Sequence, residues 1–189
     1  FGGYHMIFVP YCSGDLHTGQ QTAVNKWGVQ FSGHQIVRSV IEEAAAHYDL
    51  HQATEIIFSG ESAGGIGAFA NLDFVRSLLP KVKTFVGAPI GGFYWSNNGP
   101  YTGPGAKEFI PWTFSDLKTY ANLWDSFVPT ACAAANPSQP WTCIFAVESY
   151  KTLKTPVFVI EAQTDKVVMP LHDGLPLNSP YPTPVLEYM

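Results

Sequence analysis

Glu55-Ile56-Ile57-Phe58-Ser59-Gly60-Glu61-Ser62-Ala63-Gly64-Gly65 is the stretch on which the fold is decided. Its opening is apolar and β-prone, while Ile66, Phe69, Ala70, Phe74 and Leu78 beyond it recur at helical spacing. The stretch therefore predicts a strand, a sharp turn and a helix, with Ser62 at the centre of G-x-S-x-G. Gly60 and Gly64 relieve crowding where the chain reverses, so the serine hydroxyl projects from the end of the strand. In that setting Ser62 is a candidate nucleophile, and the backbone N–H of Ala63 is a candidate oxyanion donor.

Working outward, Met6-Ile7-Phe8-Val9 reads as a buried strand stopped by Pro10, followed by a loop over 11–19. From His34, the positions Ile36, Val37, Val40, Ile41, Ala44, Ala45 and Tyr48 predict an amphipathic helix, with Glu42, Glu43 and His47 on its wet side. The post-elbow helix ends near Pro80. Strands are predicted over 82–86, before Gly87-Ala88-Pro89, and over 155–160. Alternating strands and helices imply an α/β fold: a mainly parallel sheet with helices on both faces, a three-layer sandwich. The length of 189 residues fits a single domain over 1–189. Over 91–140 the periodicity fails, which predicts a cap or loop excursion within that domain, helical near 114–126. The Pro-rich stretch 175–184 reads as irregular.

The composition is 46% hydrophobic and 13% charged, too apolar for a disordered chain. A net charge of −5, with ten thinly spread Lys and Arg residues, supplies no basic stripe for nucleic acid and no polybasic membrane anchor. No apolar run is long enough to span a membrane. The chain opens at Phe1 without a signal-peptide pattern, so any targeting segment is expected upstream.

A serine nucleophile needs a base, and the base needs an orienting acid. Asp165 follows an apolar strand and would emerge on the same sheet edge as the elbow. A surface turn is its plainer role. Asp173 is a rival acid further from the strand end, and Glu161 suits a ladder or capping role. The base is harder to place. His172 is the one histidine after Asp165, only seven residues on, and a loop role suits it better than a catalytic one. The base is therefore expected beyond Met189. His34, His47 and His51 lie at helix ends or faces and read as solvated. On the active-site edge, Tyr11, Asp15 and His17 of the first loop and Gly91 and Phe93 after the 82–86 strand are candidates for the substrate pocket. Phe93, Tyr94, Trp95, Trp112, Phe114, Trp124 and Phe127 could stack on sugar, line an acyl pocket or pack in the core.

With Tyr11-Cys12-Ser13-Gly14-Asp15-Leu16-His17-Thr18-Gly19, Phe31-Ser32-Gly33, the elbow and Asn71-Leu72-Asp73 in this order, the chain resembles the pectin acetylesterase and Notum carboxylesterase family. Cys143, Lys154-Thr155-Pro156 and Asp165 extend the resemblance. It implies an α/β-hydrolase fold and ester hydrolysis in the secretory pathway, with no metal or cofactor, through Ser62 and Asp165. The substrate implied first is acetylated polysaccharide, with a Notum-like lipid deacylase as the alternative. Gly87-Ala88-Pro89 stands where the family usually carries Asp-Ser-Gly or Asp-Ala-Gly. Neither the family's glycine-rich oxyanion loop nor its C-terminal His has a counterpart, as expected of an internal fragment of a longer enzyme. A binding module that kept the elbow and lost the base is the opposing class.

Cys132 and Cys143, eleven steps apart in a loop rich in Ala, Pro and Asn, are expected to form a disulfide worth roughly 2–3 kcal/mol. Cys12 is left over, either to pair outside this chain or to stay a buried thiol. The sequence carries no indication of oligomeric state.

Overall fold

A computed structural model describes residues 2–96, 99–107, 113–176 and 180–188, so Trp112 lies outside the described residues. Its centre is the predicted strand, turn and helix. Strand β1 (Glu55–Glu61) runs into helix α2 (Ala63–Leu78), and helix α1 (Gly33–His47) precedes both. Strand β2 (Thr84–Ile90) pairs with β1 in parallel, from Glu55 opposite Thr84 to Glu61 opposite Ile90. On its other side β2 forms parallel bridges at Val157 and Ile160, so the 155–160 strand is present as a short third member. Two connections between parallel neighbours require crossovers, which α2 and the long excursion supply.

Strand β2 continues through Gly87-Ala88-Pro89, where the sequence had suggested a stop. Pro89 has no N–H to give to the ladder, but its carbonyl accepts from Ile160 N at 3.0 Å, which is enough to carry the strand on to Ile90. Gly87 is needed because the side chain of Leu72 already fills the space a Cβ would take, at 2.7 Å.

One face of the sheet is covered by α2 and α1. Val37 and Ile41 of α1 pack with Leu72, Val75 and Leu79 of α2 and with Val82 and Phe85. The other face carries Ile90 and Ile160, both 39% exposed. A second cluster joins Leu16 and Ile66 to Leu117 and Trp124 of the 91–140 segment and to Ile144 and Phe145 just beyond it. Helix α3 (Phe114–Trp124) falls where the sequence placed one. It begins with a capping box, Thr113 and Asp116 bonding each other's backbone, and these bonds hold the Asp116 carboxyl below its usual range.

Two expectations fail. The 6–9 segment forms no strand, and Met6 is 88% and Phe8 78% exposed, because among the described residues no backbone ladder pairs with it. An apolar run reads as a buried strand only if a neighbouring strand exists to receive it. Cys12 is exposed, so it is not the buried thiol of the second alternative. Cys132 and Cys143 are joined, with Cα atoms 5.9 Å apart. Among the described residues no helix is long and apolar enough to cross a membrane.

Candidate active site

Ser62 sits between β1 and α2 with φ 54° and ψ −117°, a backbone conformation sparsely used by residues other than glycine. Its N–H donates to Ile90 O at 2.8 Å, and its carbonyl accepts from Ile66 N at 3.0 Å, so the turn is held from both sides. Of the two motif glycines only Gly60 is needed for space, since a Cβ on Gly64 would meet nothing within 4 Å, and the crowding expected there falls instead on the next residue, Gly65. A Cβ on Gly60 would lie 2.2 Å from Gly64 O, and one on Gly65 would lie 2.7 Å from Ile90 O. The close approach of α2 to both strands leaves Ser62 exposed at the sheet edge.

The Asn-x-Asp motif, about two turns further along α2, acts as a two-sided clamp. Asn71 Nδ2 donates to His17 O at 2.9 Å and to Gly67 O at 2.8 Å, while its Oδ1 meets His34 Nδ1 at 2.7 Å. Asp73 accepts from Lys154 N and Thr155 N at 3.0 and 2.9 Å, fixing the start of the segment that leads to Asp165. A single helix thus carries the elbow and anchors the loops on either side of it. The sequence displayed this motif, but its role depends on which distant backbone groups lie opposite.

His34 is therefore not solvated. It is 3% exposed, stacked on Phe127 with ring centroids 3.9 Å apart, and desolvation pulls its pKa below the ordinary histidine value. His47 and His51 are exposed, as expected.

In the first loop, Asp15 is fully buried and supports the loop from within. Its carboxylate accepts from Ser13 Oγ, His17 N and Gly33 N at 2.5, 3.1 and 2.7 Å. The last of these caps α1 from outside the helix. Cβ atoms on Gly19 or Gly33 would collide with that carboxylate, which explains both glycines. Leu16 and His17 both take positive φ, 56° each. The turn lays His17 against Gly67 on the face of α2 that also carries Ala63 and Asn71, spaced by four residues. His17 is 8% exposed, its ring lies 4.8 Å from that of Tyr11, and burial lowers its pKa. Burial likewise raises the pKa of Tyr11, whose hydroxyl accepts from Leu16 N at 2.9 Å.

Parallel pairing brings Asp165, the candidate acid, to the same edge. Gly91 N donates to Ile160 O at 2.9 Å, and the chain then reaches Asp165, whose Oδ1 accepts from Val167 N and Val168 N at 2.7 Å each. Asp165 Oδ2 has no hydrogen-bond partner among the described residues. Glu161 accepts from Phe93 N at 2.6 Å, a bracing role that holds the post-β2 chain beside the acid loop. Between them lies a cavity of about 400 Å³ with Phe93, Trp95, Val168, Met169 and Leu175 on one part of its wall and Glu161, Gln163, Asp165 and Asp173 on the rest. Burial, followed by the charges of Asp165 and Glu161, raises the pKa of Tyr94.

His172 is 3% exposed, and both its ring nitrogens are engaged, Nδ1 with Asp173 at 2.7 Å and Nε2 with Trp95 O at 2.9 Å. It fastens the 91–95 segment to the turn after Asp165, and Asp173 is committed with it.

Strand, strained serine turn and helix beside parallel strands, with a carboxylate at the end of a later strand, define an α/β-hydrolase fold. A pectinacetylesterase family model matches residues 1–175, and the chain belongs to that family. It is 32% identical to the palmitoleoyl-protein carboxylesterase NOTUM of Drosophila melanogaster over 174 residues, 86% of this chain and 25% of that protein. It is 29% identical to notum1' of Xenopus laevis over 163 residues, 83% of this chain and 33% of that protein. A solved structure of the Wnt deacylase Notum from Drosophila superposes with a TM-score of 0.77 at 28% identity, covering 95% of this chain and 52% of the other. The chain thus spans a quarter to a third of the length of these curated relatives.

Proposed function

We propose that this chain carries the nucleophile and the acid of a serine carboxylesterase, within one partial α/β-hydrolase domain whose 91–140 excursion caps the site. The observation that carries this reading is the exposed Ser62 in its strained turn. Ser62 Oγ attacks the ester carbonyl as a histidine removes its proton, and the Ala63 N–H receives the oxyanion. The alcohol leaves with that proton, and water then releases the acid from acyl-Ser62. Asp165 suits the orienting acid, since Oδ1 is held by its own turn while Oδ2 is left to meet an imidazole N–H. The base is a histidine outside this span, because His172 has both nitrogens occupied.

An acetyl ester of a polysaccharide is the first substrate reading, in line with the pectinacetylesterase family. The apolar part of the cavity wall beside Asp165 and the likeness to Notum favour a second reading, a longer acyl group on a lipid-modified partner. The Cys132–Cys143 disulfide supports passage through the secretory pathway. The test is turnover of p-nitrophenyl acetate, octanoate and palmitate by the full-length protein and its Ser62→Ala variant. Ser62→Ala is expected to lower kcat/KM by about a thousandfold or more. The preferred acyl length separates the two substrate readings. A folded Ser62→Ala protein within tenfold of an active wild type removes Ser62 as nucleophile, and a full-length wild type with no turnover above buffer leaves the binding-module reading.

A further inference from the structure

Away from the elbow and the acid loop, a groove of about 480 Å³ lies between the first turns of α1 and the 21–31 segment. That segment doubles back on itself: Gln21 N donates to Phe31 O and Asn25 N to Val29 O, both at 2.8 Å, with exposed Trp27 at its tip. Gln21, Thr22 and Gln30 line one wall, and Ser32, Gln35 and Ser39 line the other. Ile36 and Val40 complete the lining with apolar surface. We infer that this groove is a binding subsite for a neutral oligosaccharide, separate from the ester site.

Three features carry the inference. First, every polar group in the lining is an amide or a hydroxyl, which both donate and accept, as sugar hydroxyls do. Second, the groove offers hydrogen-bonding capacity unused by the fold. Among the described residues the side chains of Thr22, Ser32, Gln35 and Ser39 make no hydrogen bond. Ser32 stands at the N-cap of α1 without capping it, because Asp15 Oδ2 and Gly19 O already take the N–H groups of Gly33 and His34. Gln21, by contrast, is fixed to Leu123 O and Phe31 N and gives the wall its rigidity. Third, no charged side chain lines the groove. Nearby Lys26 lies over the Trp27 ring, and Arg38 is paired with Glu42 at 3.0 Å. A uronate, sulfate or phosphate would find no cation there. The volume falls within the range of small-ligand sites, roughly 300–1,000 Å³.

The test is calorimetric titration of the full-length protein with cellopentaose and maltopentaose, with trigalacturonate and an uncharged heptapeptide as competing classes. At least one neutral pentasaccharide is expected to bind. Both Gln35→Ala/Ser39→Ala, which removes the groups, and Ser39→Trp, which fills the groove, are expected to weaken it by about tenfold or more. Turnover of p-nitrophenyl acetate is expected to be unchanged in both variants, whose folding is checked by circular dichroism. Failure of both pentasaccharides to bind, binding insensitive to either variant, or preference for trigalacturonate or the peptide overturns the inference. A loss of acetate turnover in the folded variants overturns the separation of the subsite from the ester site, whereas failure of the esterase reading itself leaves the titrations unaffected.

Discussion

At the scale of single residues, the functional contrast falls between Ser62, which is exposed and strained, and the side chains around it, which are buried and committed. Asp165 belongs to both groups, since one oxygen holds its own turn while the other has no partner among the described residues. That division makes a prediction. Asp165→Asn keeps an acceptor oxygen for Val167 and Val168, so it is expected to lower turnover strongly with little change in Tm. Asp165→Ala is expected to lower turnover and also cost about 1 kcal/mol of stability. Kinetics and thermal melts of the full-length variants check this, and an Asp173→Asn variant that loses more turnover than Asp165→Asn would move the acid to Asp173. His34 gives a pH dependence. Its folded pKa lies below the ordinary 6.5, so between the two values the unfolded chain binds more protons than the fold. Stability is therefore full above about pH 6.5 and is lost as pH falls toward the folded pKa. His17 adds to this in the same direction. Melting temperatures from pH 8 to pH 5 are expected to decline below 6.5, less steeply in His34→Gln, which keeps a donor for Asn71. An identical slope in the variant would remove His34 as a cause.

At the scale of elements, α2 organises the site. Its Ala63, Gly67 and Asn71 face presents, in turn, the elbow N–H, a gap filled by His17 and a clamp on the His17 carbonyl. Its Asp73 holds the route to Asp165. The glycines of this helix are consequently not equivalent. A Cβ on Gly67 would meet His17 Cβ at 2.8 Å and Leu16 O at 2.9 Å, so Gly67→Ala must displace the first loop and is expected to cost about 1–3 kcal/mol. A Cβ on Gly64 meets nothing within 4 Å, so Gly64→Ala is expected to be neutral or stabilising by up to about 1 kcal/mol through helix propensity. Equilibrium denaturation of the two variants checks the contrast, and equal effects would show that the loop gives way freely.

For the molecule as a whole, the disulfide closes a region in which the regular elements are short. Cys132 lies in the six-residue helix Thr130–Ala135 and Cys143 in a single 3₁₀ turn, both fully buried beside the core formed by Ile144 and Phe145. Elements that short have little hydrogen-bonded cooperativity of their own. Replacing both cysteines by alanine is expected to lower stability by about 2–3 kcal/mol. Non-reducing peptide mapping is expected to recover the two as one linked pair, and recovery as separate alkylated thiols would contradict the bond.

Much of the architecture could be read from local pattern. The elbow, both long helices, the segments that become β1 and β2 and the helix near 114–126 each follow from periodicity within a short window, because the forces that set them act between near neighbours. The 6–9 segment failed for the complementary reason. Four apolar residues prescribe a strand only when another strand accepts their N–H and C=O groups, and nothing within those four residues supplies one. The roles of Asp15, His34 and His172 are not legible in the sequence, because a polar side chain's role depends on what the fold places against it. Here those partners are Gly33 N, Asn71 and the Trp95 carbonyl, 18, 37 and 77 residues away in the chain. The sequence alone determined which serine the turn displays and where, and so which residue is proposed as the nucleophile. Only tertiary packing decided which of the surrounding polar groups remain available for chemistry, because hydrogen bonds between distant residues commit a buried group irrespective of its type.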